Sequence, residues 1–307
     1  MHKNGNGEIL ISVVIPTLNR LSKVATLVRL FLEMSDDQLE IIVVDDGSID
    51  QTYETLTKIV DSRLRVFRIP NSERGAARNF GASKASGMYI NYFDSDDIPH
   101  PNYLTLVKPH VIRNKPEWIV FGYDIQDETG SVCRPRLPRS GQKFIHALST
   151  GNPFPPNSVL IRADIALLNP FNESRDLAGS EDYELWLRLC MNYEPLYLPE
   201  ISIYSLQQWR GRSVNNIQPH KAFSQCTVLL NSIDHMAWSD QALEYKRSVI
   251  GGVKMYFSLI LAMSPRHRSR SLVMMLRSLI LAPRLLFTKR PYAVIKVILK
   301  ALVVNHV

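Results

Sequence analysis

Short apolar runs that stop abruptly at turn residues alternate, over the first hundred positions, with stretches whose apolar side chains recur at helical spacing. Ile11-Ser-Val-Val-Ile-Pro-Thr-Leu-Asn-Arg20 is the first such run, closed by Pro16 and Asn19. Its brevity and its turn residues suit a buried parallel strand, and apolar residues at 21, 24, 25, 28, 31 and 32 then mark a helix. Ile41-Ile-Val-Val-Asp-Asp-Gly-Ser-Ile-Asp50 repeats the pattern and ends in two carboxylates, a glycine turn and the helix-capping candidates Ser48 and Asp50. A third run, Met88-Tyr-Ile-Asn-Tyr-Phe93, stops at Asp94-Ser95-Asp96-Asp97.

The chemistry sits where these runs stop. Carboxylates delivered at the C-terminal end of a strand, where open α/β sheets bind ligands, make a hard-cation site for a substrate phosphate. Alone, Asp-Ser-Asp-Asp is more often a polar turn. Asp46, at the tip of the second strand, is placed to accept a hydrogen bond from the imide of a uracil or from a ribose hydroxyl. In Glu73-Arg-Gly-Ala-Ala-Arg-Asn-Phe-Gly-Ala-Ser-Lys-Ala85, small residues let a helix sit close to the sheet, with Arg78 one turn in. Such an arginine either pairs with a nearby carboxylate or binds diphosphate oxygens through its planar fork.

Taken in order, Pro16-Thr-Leu-Asn19, Asp45-Asp-Gly-Ser48, Ala77-Arg-Asn-Phe-Gly81 and Asp94-Ser-Asp96 resemble the family 2 glycosyltransferases of the GT-A fold, and the resemblance covers about residues 10 to 216. It implies an α/β fold: an open, mostly parallel, Rossmann-like sheet with helices on both faces. It also implies an inverting transfer of a sugar from a nucleoside-diphosphate donor, expected to be UDP-linked, to a hydroxyl of a saccharide or lipid-linked acceptor. Pro16, Thr17, Asn19, Asp46, Arg78, Asp94, Ser95 and Asp96 then fall on the nucleotide-sugar site, and Asp94 and Asp96 on a Mg or Mn ion that neutralises the departing diphosphate.

The resemblance extends to Ser180-Glu-Asp-Tyr-Glu-Leu-Trp-Leu-Arg-Leu189, which is similar to the family's Glu-Asp helix and makes Asp182 the candidate catalytic base. The competing reading is an acidic first turn that complements the helix dipole. Leu185, Trp186 and Leu189 read as helix core, with an acceptor-sugar contact as the alternative for Trp186. Glu181, Trp186, Trp209, Arg210 and Arg212 are the further candidates for the diphosphate or the acceptor. One departure stands out: where many relatives carry Tyr-Arg-x-His, this chain has Tyr204-Ser-Leu-Gln-Gln-Trp-Arg-Gly-Arg-Ser-Val-Asn215, without the histidine. Arg210 or Arg212 is the candidate substitute, and the absence of an arginine just before Trp209 argues against a processive synthase.

Composition adds the rest. With 307 residues and 45% apolar content the chain can fill one large domain and an appendage. The expected division is a catalytic domain over 1–216, made of a nucleotide-sugar half (10–125) and an acceptor half (126–216), followed by a helical tail over 217–307. Cys133, Cys190 and Cys226 lack ligand spacing and are too few for a disulfide framework, and the N-terminus lacks a signal architecture, so a cytoplasmic setting is expected. Val132-Cys-Arg-Pro-Arg-Leu-Pro-Arg-Ser-Gly141 is the candidate mobile loop, either merely solvated or meeting a lipid-linked diphosphate.

The net charge of +7 is unevenly spread. Twelve Lys or Arg and no acidic residue follow Glu244, whereas the first 244 residues hold 24 basic and 29 acidic ones. The tail also sets Val249, Val253, Tyr256, Phe257 and Ile260, and then Leu272, Met275, Leu276, Leu279 and Ile280, at helical spacing. No stretch reaches the ~18 uncharged apolar residues needed to span a bilayer. A peripheral position on the inner face of the membrane is expected, with packing on protein or on a second subunit as the alternative. Few aromatics accompany the basic residues, which argues against nucleic acid.

Two rivals are weaker. A sugar nucleotidyltransferase needs a glycine-rich loop after the first strand, and Pro16-Thr-Leu-Asn-Arg20 has no glycine. A non-catalytic nucleotide-sugar- or lipid-binding member of the fold is expected to have lost the carboxylates that are intact here.

Overall fold

The computed structural model describes residues 8–139, 143–207 and 219–304. In chain order the elements begin with β1 (Ile11–Thr17), α1 (Leu21–Leu32), β2 (Leu39–Asp45), α2 (Thr52–Leu56), β3 (Leu64–Arg68), α3 (Arg74–Lys84), β4 (Tyr89–Tyr92), β5 (Ile98–Pro99), α4 (Tyr103–Asn114), β6 (Trp118–Gln126) and β7 (Val132–Cys133). They continue with α5 (Phe144–Leu148), β8 (Val159–Arg162), α6 (Ala163–Leu168), α7 (Glu181–Asn192), β9 (Leu196–Gln207), α8 (Pro219–His235), α9 (Asp240–Ala262), α10 (Arg268–Leu281) and α11 (Lys289–Val304). They fall into two compact units that interleave along the chain.

The first unit comprises residues 8–139, 154–175 and 193–207 and holds the sheet. Its strands run β3-β2-β1-β4-β8-β6-β9-β5, with β7 beside β6. β3, β2, β1 and β4 are mutually parallel; β1, β2 and β4 are buried throughout, as their mostly apolar runs require, and β3 is the half-exposed edge. Beyond β4 the sheet is mixed: β8 is antiparallel to β4 and β6, and β9 is parallel to β6. Period-2 alternation divides the two faces. Ile11, Val13, Ile15, Ile41 and Val43 join Val24, Val28 and Phe31 of α1 and Tyr103, Val107 and Val111 of α4 in one core. Val14 and Val44 point to α3 instead, where Gly81 lets the helix approach: a Cβ there would lie 2.3 Å from Val14 Cγ1.

The stretch expected to be a mobile loop is tied down over part of its length. Val132 and Cys133 pair with Gln126 and Ile125, and Arg134 donates to Asp124 at 3.0 Å and to the Glu200 carbonyl at 3.0 Å.

The second unit is helical and comprises residues 143–153, 176–192 and 219–304. Met255, Ala262, Met275, Ala282, Leu285, Val294 and Ile298 form a core of α9, α10, α11 and the turn between the last two. The helical tail expected from residue 217 is present. It shares its unit with α5 and with α7, the helix that the sequence placed in the catalytic domain.

Candidate active site

At the tips of the parallel strands the loops are cross-tied before any ligand is considered. Asn19 has a left-handed φ of 52°, its amide donates to Ser48 Oγ at 2.8 Å, and its Oδ1 accepts from the Ile49 amide at 2.8 Å. Asparagine tolerates that backbone region and its side chain bonds locally, which accounts for its place two residues after β1. Pro16 and Thr17 pair with Val44 and Asp45. Thr17 is buried, and its Oγ1 has no hydrogen-bond partner among the described residues.

Asp46 is buried and accepts the Ser72 amide at 2.7 Å and the Glu73 amide at 3.0 Å, so it holds the backbone that leads into α3. Burial pushes its carboxyl above the ordinary value, against the lowering effect of the two amides. One turn into α3, Arg78 is almost wholly buried; it donates from Nη2 to Asp94 Oδ1 at 2.8 Å and lies 5.0 Å from the centre of the Phe171 ring. The carboxylate pairing weighed for this arginine is therefore made, and made to the acidic motif itself.

Below β4, the Asp94 amide donates to Asn157 Oδ1 at 3.1 Å, while Asn157 Nδ2 donates to Asp97 Oδ2 at 3.2 Å. The Gln207 amide donates to Asp97 Oδ1 at 2.9 Å, which ties the motif to the end of β9. Asp96 pairs with Arg20, from the turn after β1, at 3.1 Å. Asp94, Asp96 and Asp97 each offer an oxygen, all within 4.8 Å of one another. Convergent carboxylates of that spread fit a hard divalent cation. Beside them opens a cleft of about 350 Å³, lined by Ser22, Lys23 and Thr26 of α1 and by Ser95, Asp96 and Gln207. Arg20 and Asn157 were not singled out in the sequence, because nothing local to either residue shows that the topology brings it under Asp94–Asp97.

In the second unit, Glu181 and Asp182 open α7. Asp182 Oδ1 accepts the Tyr183 amide at 2.7 Å and Oδ2 accepts Asn152 Nδ2 at 3.0 Å. Glu181 is buried, and its Oε2 accepts the Gly179 amide at 2.6 Å. Trp186 has no accessible surface, and Leu185 and Leu189 of the same helix are likewise fully buried, so its ring offers no face for an acceptor sugar and the helix-core alternative holds. Trp209, Arg210 and Arg212 lie outside the described residues.

Three comparisons bear on this geometry. The profile of glycosyl transferase family 2 matches residues 12–165. An uncharacterized glycosyltransferase of Rickettsia felis is 27% identical over 253 residues, covering 78% of this chain and 40% of the relative, so the chain spans less than half of that protein. The Escherichia coli UDP-Glc:alpha-D-GlcNAc-diphosphoundecaprenol beta-1,3-glucosyltransferase WfgD is 27% identical over 185 residues, 59% of this chain and 70% of the relative. In three dimensions, residues 1–349 of S. aureus TarS in complex with UDP-GlcNAc superpose with a TM-score of 0.65 at 17% identity, covering 94% of this chain and 89% of that one. The likeness to TarS is one of fold.

Proposed function

Because the chain belongs to glycosyl transferase family 2, we propose that it transfers a sugar, with inversion, from a UDP-linked donor to a hydroxyl of a saccharide or lipid-linked acceptor. The observation that carries this reading is the convergence of Asp94, Asp96 and Asp97 at the end of β4, beside an open cleft and within reach of Arg20 and Arg78. Asp94 and Asp96 would hold a Mg or Mn ion, which when bound supplies positive charge to the leaving diphosphate. Arg78 keeps Asp94 oriented, and Thr17 and Asp46 stand at the strand tips as acceptors or donors for the nucleoside. In the second unit Asp182 would take the proton from the attacking hydroxyl.

The two relatives named for a donor support the UDP assignment: one name states UDP-Glc and the other complex contains UDP-GlcNAc. No helix among the described residues is long and apolar enough to cross a membrane. The exposed stripe Leu272, Val273, Leu276 and Ile280 on α10 supports peripheral attachment to a lipid surface.

The test is calorimetric titration of UDP in the presence of Mn. Asp96→Asn is expected to keep the fold and to lose Mn-dependent affinity by at least about tenfold, the weakening that follows when a cation loses a charged ligand. Undiminished affinity would remove Asp96 from the cation site.

A further inference from the structure

A residue that grips Asp182 from outside its own helix belongs to a short segment, and that segment is held in turn by the last helices of the chain. Asn152 supplies the bond to Asp182 Oδ2 at 3.0 Å. Two residues earlier, the Thr150 carbonyl accepts a hydrogen bond from Nη1 of Arg290, at the start of α11. Between them Gly151 has a φ of +133°, and a Cβ there would lie 2.5 Å from Arg290 Nη1. α9 closes from another direction, because a Cβ on Gly252 would lie 2.8 Å from the Thr150 carbonyl carbon and 3.0 Å from its Cα. α7 adds a third tie, with the Tyr183 hydroxyl donating to the Leu148 carbonyl at 2.7 Å.

These features are costly to a simple anchoring tail. Gly251 and Gly252 sit in the middle of a 23-residue helix, where each glycine costs roughly 1 kcal/mol against alanine. Arg290 is half-buried, and burial holds its guanidinium below the ordinary value while the Tyr183 and Tyr256 hydroxyls act the other way. A lysine, with a point charge on a flexible stem, would not reproduce the planar fork against the Thr150–Gly151 backbone. The Gly251 cost serves the contact with α10, where a Cβ would lie 2.7 Å from Ala282 Cβ, whereas Gly252 and Arg290 converge on the segment that ends at Asn152.

We propose that Arg290 and Gly252 are positioning residues for the base: they fix Thr150–Asn152 and, through the Asn152 amide, the Asp182 carboxylate, so that α9 and α11 belong to the proton-accepting machinery. This rests on the reading of Asp182 as the base. Around the carboxylate, Asn152 donates to it from the segment and the Tyr183 amide donates from α7, and Tyr256 of α9 lies within electrostatic range of it; Arg290 of α11 acts on the Tyr183 and Tyr256 hydroxyls and on the Thr150 carbonyl, while Cys190 lies near Tyr183 and Glu184 is engaged by Arg188 and Ser232. A hydrogen bond donated to the ionised carboxylate favours it, so loosening the segment that carries Asn152 raises the pH at which Asp182 takes up a proton.

The experiment uses the full chain labelled with carbon-13 at the aspartate side-chain carboxyls, the Asp182 resonance being assigned by its loss in Asp182→Asn. In Arg290→Met the Asp182 titration is expected to move upward by about half a unit or more, the direction of a loosened hydrogen-bond donor. Arg290→Lys keeps the charge but not the planar fork, and is expected to move the titration in the same direction. In all three variants Arg290→Met, Arg290→Lys and Gly252→Ala, hydrogen exchange is expected to accelerate by about tenfold at residues 150–153 and the first turn of α7, with α1 and α3 unchanged, the signature of a local opening. An unmoved Asp182 titration in Arg290→Met, or exchange in that segment unchanged in both Arg290→Met and Gly252→Ala, overturns the proposal. The base assignment stands or falls separately, on whether Asp182→Asn lowers UDP release from UDP-glucose with Mn.

Discussion

Asp94 and Asp96 each face an arginine, Arg78 at 2.8 Å and Arg20 at 3.1 Å, whereas Asp97 accepts from Asn157 and from the Gln207 amide. The three carboxylates are therefore not equivalent: Asp97 points into the fold and anchors the turn that presents the other two. Asn157 holds both ends of that turn, by accepting from the Asp94 amide and donating to Asp97, and it is itself fully buried. Asn157→Ala leaves a buried carboxylate oxygen short of a donor and is expected to cost about 1–3 kcal/mol, the penalty of an unsatisfied buried polar group. Urea unfolding gives the stability, and UDP–Mn titration is expected to weaken in parallel. Unaltered stability would mean that Asp97 finds another partner and that the turn does not depend on Asn157. Asp94 and Asp96 were legible in the sequence because they are neighbours at the end of an apolar run. Asn157 was not, because 60 residues of chain separate it from Asp97 and only the pairing of β8 with β4 brings it there.

β1, β2 and β4 were legible for a physical reason: buried along their whole length, they appear as mostly apolar runs that no surface strand would carry, whereas the edge strand β3, Leu64-Arg-Val-Phe-Arg68, is half-exposed and leaves no such run. The mixed half was not, since the pairing of β6 with β9 is interrupted by register shifts at Gly122, and long-range antiparallel partners leave no periodic trace in the chain. α3 shows how tightly the legible half is built. At Gly81 a new Cβ would meet Val14 Cγ1 at 2.3 Å and Val44 Cγ2 at 3.2 Å. Alanine in place of a helical glycine gains roughly 1 kcal/mol in propensity, but overpacking a well-filled interface costs roughly 1–3 kcal/mol. Overpacking is expected to win, so Gly81→Ala should lower stability in urea and, by shifting α3 and with it Arg78, weaken UDP–Mn binding. A variant as stable as the parent would show that α3 can slide away from the sheet without loss.

At the scale of the whole chain, charge and apolar exposure coincide in the last helices. The twelve basic residues after Glu244 have no acidic counterpart there, and α10 exposes Leu272, Val273, Leu276 and Ile280, with Phe287 standing 93% exposed just beyond it. At 100° per residue the four α10 side chains lie within about 100° of arc, with Arg270 and Arg277 on one flank and Arg268 on the other. The opposite side of the helix is fixed inward: Ser271 donates to the Ser258 carbonyl at 2.7 Å and Ser278 to the Gly251 carbonyl at 2.6 Å, so the apolar stripe is held outward by hydrogen bonds to α9. Such a stripe between arginines matches an anionic lipid surface, where each basic residue contributes on the order of 1 kcal/mol and the apolar side chains enter the headgroup boundary. Co-sedimentation is expected to capture the protein on vesicles rich in phosphatidylglycerol and much less on phosphatidylcholine alone. High salt screens the charges and not the apolar burial, so it should release only part of the bound protein. The pair Leu276→Glu and Ile280→Glu, on exposed positions that leave the helical core intact, should abolish most of the binding without changing UDP–Mn affinity. If the parent protein ignores lipid charge, or the double variant binds vesicles as well as the parent, the stripe covers another protein surface instead.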